Sequence, residues 1–267
     1  MKWFKILFDL YIISNIHVAV SVVMLYMIFN NAHPDWNYAG FLFWGTVFSY
    51  GSIRLFFWER GREIFKNYYK KYRILFFMLL VVSFLFSLYY FFQLPVSVRF
   101  SIIPLAVITL FYQSNLPFFS FRQNGILKIV TVSFVWAMLA VVIPGIYYEN
   151  LSFLHLKFIF VFTYVFLLTL SFDQRDILID QRDLGTLPQL FPDHKKLIYI
   201  AIGLLLLGIS FFIFKGKELY IAFIVVMLSL ILSWHSDNKK NFYYTAFIIE
   251  SLPIFWLFLI YISKNFI

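Results

Sequence analysis

The sequence predicts an all-α protein that crosses a membrane many times, and three observations predict it. Hydrophobic residues make up 62% of the 267 residues and charged residues only 13%, where a soluble domain carries about 25% charged. Long apolar runs recur from one end of the chain to the other, and they lack the apolar–polar alternation of a membrane-barrel strand. The basic residues sit in short segments between those runs, as in proteins whose orientation is fixed by positive loops. A soluble fold needs polar residues to cover its surface, and this chain has too few. A backbone facing lipid has no water to bond, so the spans must be helical.

A spanning helix needs about 20 mostly apolar residues, and nine runs meet or approach that length. The first, Leu10–Phe29, follows a short basic start, Met1–Lys5, and no small-residue cleavage site follows it. It reads as a retained helix and not as a removable leader. The next runs are Tyr38–Trp58, Ile74–Phe92 and the shorter Phe100–Gln113. Ile126–Tyr147 and Leu154–Phe172 come fifth and sixth. Leu197–Phe214, the short Leu219–Trp234 and Tyr243–Ser263 complete the set. Two connecting segments are long, one around Glu59–Arg73 and one around Asp173–Lys196. No linker, Gly/Ser tract or repeat divides the chain, so residues 1–267 are expected to form a single transmembrane domain.

Sorting the basic residues by side orients the chain. With the N-terminus in the cytoplasm, about 17 Lys and Arg fall in inside segments and about 5 outside. The outside set is Arg99, Lys157, Lys215, Lys217 and Lys264. This placement also explains the net charge of +9 without nucleic acid, and the aromatic, basic stretch Arg60–Arg73 reads as attraction to anionic lipid. The absence of cysteine excludes disulfides and thiolate metal sites. No Gly-rich phosphate loop, nucleophile elbow or HExxH motif is present, and the five His are too dispersed for a metal cluster.

The second long segment carries the densest chemistry, Asp173-Gln-Arg175-Asp176-Ile-Leu-Ile-Asp180-Gln-Arg182-Asp183, followed by Thr186-Leu-Pro188. If the preceding helix continues through it, Asp173, Asp176, Asp180 and Asp183 fall within an arc of roughly 80°, with Arg175 and Arg182 on the other side. Clustered carboxylates raise one another's pKa. Mg²⁺ relieves this, since it takes oxygen ligands and is commonly shared between carboxylates and substrate phosphates. The same run is also compatible with a solvated helix carrying local ion pairs.

Arg175-Asp176, then Asp180, then Thr186-Leu-Pro188 resembles the second Asp-rich motif of the UbiA superfamily of membrane prenyltransferases. Nine spans, with this motif between the sixth and seventh on the cytoplasmic side, match that family's topology over the whole chain. Lys128 leading to Trp136, and Ser14-Asn15-Ile-His17, are weaker echoes. The resemblance implies a UbiA-like bundle and Mg²⁺-dependent transfer of a prenyl group from a polyprenyl diphosphate to an acceptor. It implies Asp176 and Asp180 as catalytic and metal-binding residues, with Asp173 assisting, and a prenyl tail held among the Phe-rich helices. The family's first motif, Asn-Asp-x-x-Asp, is replaced here by Ser49-Tyr50-Gly51-Ser52-Ile53-Arg54-Leu55, and no Asp occurs between Asp35 and Asp173.

Three ways to complete the site remain open. Arg54 could contact the diphosphate directly, beside Tyr50. Glu59 and Glu63, four apart on one helical face, could supply carboxylates. Or Arg54 could pair with the acidic face of a site that binds lipid, or scaffolds other proteins, without catalysis; as a lone residue it also reads as a positive-inside anchor. Lys128 and Arg122 stand at the expected cytoplasmic mouth, where they suit an anionic headgroup. Glu250 lies mid-span in the ninth run, a costly place for a carboxylate; it could orient an acceptor or pair with His17. His17 and Asn15 each read as hydrogen bonders between helices.

Overall fold

The computed structural model describes residues 2–30, 34–56, 63–113, 124–178, 184–237 and 239–265. Within the described residues, each expected apolar run is mainly helical. Helices α1 (Lys2–Ile13) and α2 (Ile16–Phe29) are followed by α3 (Trp36–Phe56), α4 (Glu63–Lys71), α5 (Arg73–Gln93) and α6 (Val96–Gln113). Then come α7 (Gly125–Ala137), α8 (Ile143–Tyr147), α9 (Leu154–Asp176) and the short α10 (Leu187–Leu190). Helices α11 (Lys195–Ile213), α12 (Lys217–Trp234) and α13 (Leu252–Asn265) close the chain.

Among the described residues, six helices are long and apolar enough to span a bilayer, and the bent pair α1–α2 makes up to seven. The chain is a multi-pass membrane protein. Nine spans were expected. Helix α6 is apolar but falls short in length, and Ser49, Tyr50, Ser52 and Arg54 dilute the apolar character of α3.

The surface is inverted relative to a soluble protein. Of the residues in α5, only Phe76 and Ser83 are buried, while Ile74, Phe77, Leu85 and Phe92 are exposed. Such a continuous apolar exterior fits acyl chains as its solvent. Helix α9 runs through the interior and packs against α7, α11 and α12. At its centre Phe160 and Tyr164 meet Phe29, Phe214 and Trp256 in one aromatic cluster. Small hydroxyl residues let α9, α11 and α12 approach closely: Ser171, Ser210, Ser229 and Ser233 are fully buried.

Three breaks depart from straight helices. Asn15 takes a left-handed backbone (φ 66°) and bends α1 from α2 by 56°, a conformation that Asn tolerates better than most residues. Two π-helical turns, Met138–Val142 and Tyr244–Ile249, precede Pro144 and Pro253. A proline lacks the N–H that would bond four residues back, so carbonyls are freed in a region without water. Side chains of α2, α3 and the residue capping α2 take them up. Asn30 donates to the Ala140 carbonyl at 2.9 Å and Tyr38 to that of Leu139 at 2.6 Å. Beside the second turn, His17 bonds the Phe247 carbonyl at 3.2 Å, which also accepts from the Ser251 amide, and Ser21 donates to the Glu250 carbonyl.

Gly125 opens α7 against the backbone of the segment that leads into α10. A Cβ there would lie 2.5 Å from the Thr186 backbone. Gly125→Ala is therefore expected to destabilise the protein by about 1–3 kcal/mol, read as a lower unfolding midpoint in detergent; an unchanged midpoint would mean that this segment yields freely.

Candidate functional site

The polar side chains gather at one end of the bundle, where α3 and α9 finish and α7 begins. Asn124 caps α7, its side chain accepting from the Ile126 and Leu127 amides at 3.1 Å each. That fixes the first turn, from which Lys128 reaches Asp173 in the last turn of α9 at 2.6 Å. Asp173 is 1% exposed at its side chain and Lys128 22%. Full burial of Asp173 and partial burial of Lys128 make this a strong, charge-assisted contact.

Arg175 is buried as well. Its guanidinium grips Asp176 with Nε at 2.9 Å and Nη2 at 2.7 Å, and Nη1 donates to Thr245 at 2.7 Å. The wheel drawn on the sequence placed Arg175 on a basic face opposite the carboxylates. In the fold that side of α9 meets the π-helical turn that leads into α13, so Arg175 points into protein and folds back on its own neighbour. The α-helix also stops at Asp176. Asp180, Arg182 and Asp183 lie outside the described residues, as do Arg122 and Glu59 and the side chain of Glu63.

Arg54 sits at the end of α3, lying 4.3 Å over the ring of Phe65 from α4. Phe65 meets Phe242 edge-on at 5.1 Å, and Arg175 lies 5.4 Å from the Phe242 ring centre. Two guanidiniums thus bracket one aromatic pair. Arg54 donates to the Ile13 carbonyl at 3.0 Å, where α1 ends. Asp173 and Asp176 contact Lys128 and Arg175; Asp180 and Asp183, the rest of the acidic face that Arg54 was expected to meet, lie outside the described residues. Glu250 is half-buried and within electrostatic reach of both Arg54 and Arg175. The Tyr50 hydroxyl accepts from the Trp136 indole at 3.3 Å, which ties the start of the Arg54 turn to α7.

His17 does not pair with Glu250 among the described bonds. Its ring joins Tyr11 at 2.8 Å and Ser251 at 3.1 Å, so it ties α1 to the helix after the second π-helical turn. Sequence reasoning missed Asp9. It is 1% exposed, and the hydroxyls of Tyr68 from α4 and of Tyr243 both donate to it. Burial, and then the adjacent Asp9 carboxylate, hold the Tyr68 phenol well above its usual pKa. The signal was available: an Asp in an otherwise apolar run must find donors.

Mg²⁺ needs several oxygen ligands at close range. Asp173 and Asp176 are each already held by a protein cation, and no group of three or more His, Asp or Glu able to hold a metal occurs among the described residues. Asp180 and Asp183, the other carboxylates of the motif, lie outside the described residues.

The fold has a known counterpart. A solved structure of a digeranylgeranylglyceryl phosphate synthase, a UbiA-type prenyltransferase, superposes with a TM-score of 0.58, over 98% of this chain and 97% of that one. Identity over the superposition is 11%. The chain has a UbiA-like fold. No protein-family model and no curated protein sequence matches it. In that UbiA-like frame, the cluster of Lys128, Asp173, Arg175 and Asp176 lies at the end of the helix preceding the Thr186-Leu-Pro188 segment.

Proposed function

We propose that this chain is a UbiA-like intramembrane prenyltransferase acting on a polyprenyl diphosphate, with its site at the Lys128–Asp176 end of the bundle. The observation that carries this reading is end-to-end likeness of fold to a prenyltransferase, joined to one buried and two half-buried cations at the end of an apolar, Phe-rich interior. Nine spans, one domain, and a cytoplasmic N-terminus and acidic motif belong to the same reading.

In this proposal Lys128, Arg54 and Arg175 interact with the diphosphate oxygens, Lys128 as a point charge and the guanidiniums as forks. Arg122 adds attraction at the mouth. Asp173 and Asp176 hold Lys128 and Arg175 in position, and Asp180 extends the acidic row. The allylic C–O bond breaks, the diphosphate departs with the electron pair, and the acceptor forms a bond to the allylic carbon and loses a proton. Glu250 and Tyr50 line the side from which the acceptor approaches. Mg²⁺ is the ion implied by the family resemblance; no step is assigned to it, because the described carboxylates are engaged by Lys128 and Arg175.

A second reading rests on that same engagement and on the Ser49–Leu55 replacement of the first motif. Fixed cations supply charge without Lewis acidity, which suits a protein that binds lipid or scaffolds other membrane proteins without catalysis.

Binding of a long prenyl diphosphate to the purified protein, with and without Mg²⁺, separates the two, followed by transfer of its labelled prenyl group to membrane lipid extract. The expected result is binding and transfer by the native chain, both weakened about tenfold or more in Asp176→Asn, in a variant that still unfolds cooperatively although buried Arg175 has lost a charged partner. Binding without transfer would favour the non-catalytic reading. Absence of binding under either condition would overturn the diphosphate site.

A further inference from the structure

A separate cavity of about 220 Å³ opens beside the end of α9. It is bordered by Gln174 and Ile177 of α9, Leu187 and Phe191 of the connector, and Lys195 and Ile198 of α11. Ser236 and Asp237, after α12, close one side. Lys128, Asp173, Arg175 and Asp176 do not line it, so it is distinct from the candidate site.

Its chemistry is amphipathic. Lys195 is half-buried and its ammonium donates to the Ser236 carbonyl at 3.2 Å; an ammonium has three donors. Gln174 is buried, and its side-chain carbonyl has no hydrogen-bond partner among the described residues. Asp237 lines the cavity within electrostatic reach of Lys195, and its carboxylate also accepts from the amides of Lys239 and Lys240 at 3.0 Å each. Around these lining residues the chain exposes His194, Lys196, Lys239 and Lys240, with Asp193 as an acidic neighbour. The adjoining outer surface is apolar: Leu190, Phe191, Leu197 and Ile200 are all exposed.

A cation set in a pocket that borders lipid-facing surface, within a basic surround, matches an anionic headgroup attached to acyl chains. We propose that this cavity binds an anionic phospholipid drawn from the bilayer. Its phosphate contacts Lys195, a headgroup hydroxyl donates to Gln174, and its chains leave along Leu190, Leu197 and Ile200. Gln174 and Ile177 stand within two residues of Asp176 in the chain, so an occupant steadies the same helix end that carries Asp173 and Asp176.

Native mass spectrometry of the full chain in detergent, titrated with phosphatidylglycerol or phosphatidylcholine, tests this. Phosphatidylglycerol is expected to be retained in preference to phosphatidylcholine. Retention should fall about tenfold in Lys195→Ala, recover in Lys195→Arg, and be blocked by Ile198→Trp, which fills the cavity. Lys217→Ala, at the opposite end of α12, should leave it unchanged, and excess inorganic phosphate should not displace the lipid. Equal retention of the two lipids would overturn the proposal. So would native-like retention in both Lys195→Ala and Ile198→Trp, or displacement by phosphate alone. Melting curves of each variant exclude loss through misfolding, and Ile198→Trp tests the cavity independently of the charge.

Discussion

Replacing Lys128 with Met is expected to destabilise the protein by about 3 kcal/mol. The substitution keeps most of the side chain's volume and removes only the ammonium. Asp173 then stands at 1% exposure without its 2.6 Å contact to the ammonium. Breaking a buried pair by removing one member typically costs about 3–5 kcal/mol, because the other member is left uncompensated. The lower end applies here, since Lys128 retains 22% exposure and some hydration. Removing both charges is expected to be far milder: Lys128→Met with Asp173→Asn should recover most of the loss. Unfolding in mixed micelles measures both. A single variant as stable as the native chain, or a double variant no better than the single, would show that the pair is not what holds α7 to α9.

Trp256→Ala is expected to cost about 3–5 kcal/mol, by emptying a site at the aromatic centre. The indole is fully buried, 5.5–6.0 Å in ring-centre distance from Phe29, Phe160, Tyr164 and Phe214. In a bilayer the unfolded helices already lie in an apolar medium, so the loss comes from packing contacts more than from transfer out of water. That argues for the lower half of the range. Trp256→Phe should cost much less, because the indole N–H has no partner among the described residues and its removal offsets part of the lost volume. Equal destabilisation by the two substitutions would assign the effect to the indole nitrogen instead of to the filled volume.

Much of the fold was legible because apolar runs of about 20 residues have one meaning in lipid. Expected and observed helix ends agree closely from Gly125 onward and for α5. What the runs could not reveal was their interruption. Leu10–Phe29 reads as one apolar stretch, yet Asn15 bends it by 56°, and the two π-helical turns are invisible to a fixed 100° wheel. The site was legible in part. Lys128, Asp173, Arg175, Asp176 and Arg54 do lie at the same end, as their positions at helix ends required. Their partners were not legible. Lys128 and Asp173 are 45 residues apart, and a wheel assigns Arg175 to an outer face only if that face is solvated. Helix α9 has neighbours on several sides, so its basic side is as enclosed as its acidic one. Asp9 belongs to no cluster or motif, yet a lone carboxylate in an apolar run is informative by itself.

The bend at Asn15 gives the site a source of charge that no titration removes. Where α1 stops at Ile13, its last carbonyls form the negative pole of a helix; where α2 starts at Ile16, its first amides form a positive pole. Arg54 answers the first of these through the Ile13 carbonyl. Part of the field at this end of the bundle is therefore written in the backbone. It persists at any pH and survives substitution of the carboxylates and lysines. Only a residue at position 15 that straightens the chain would erase it.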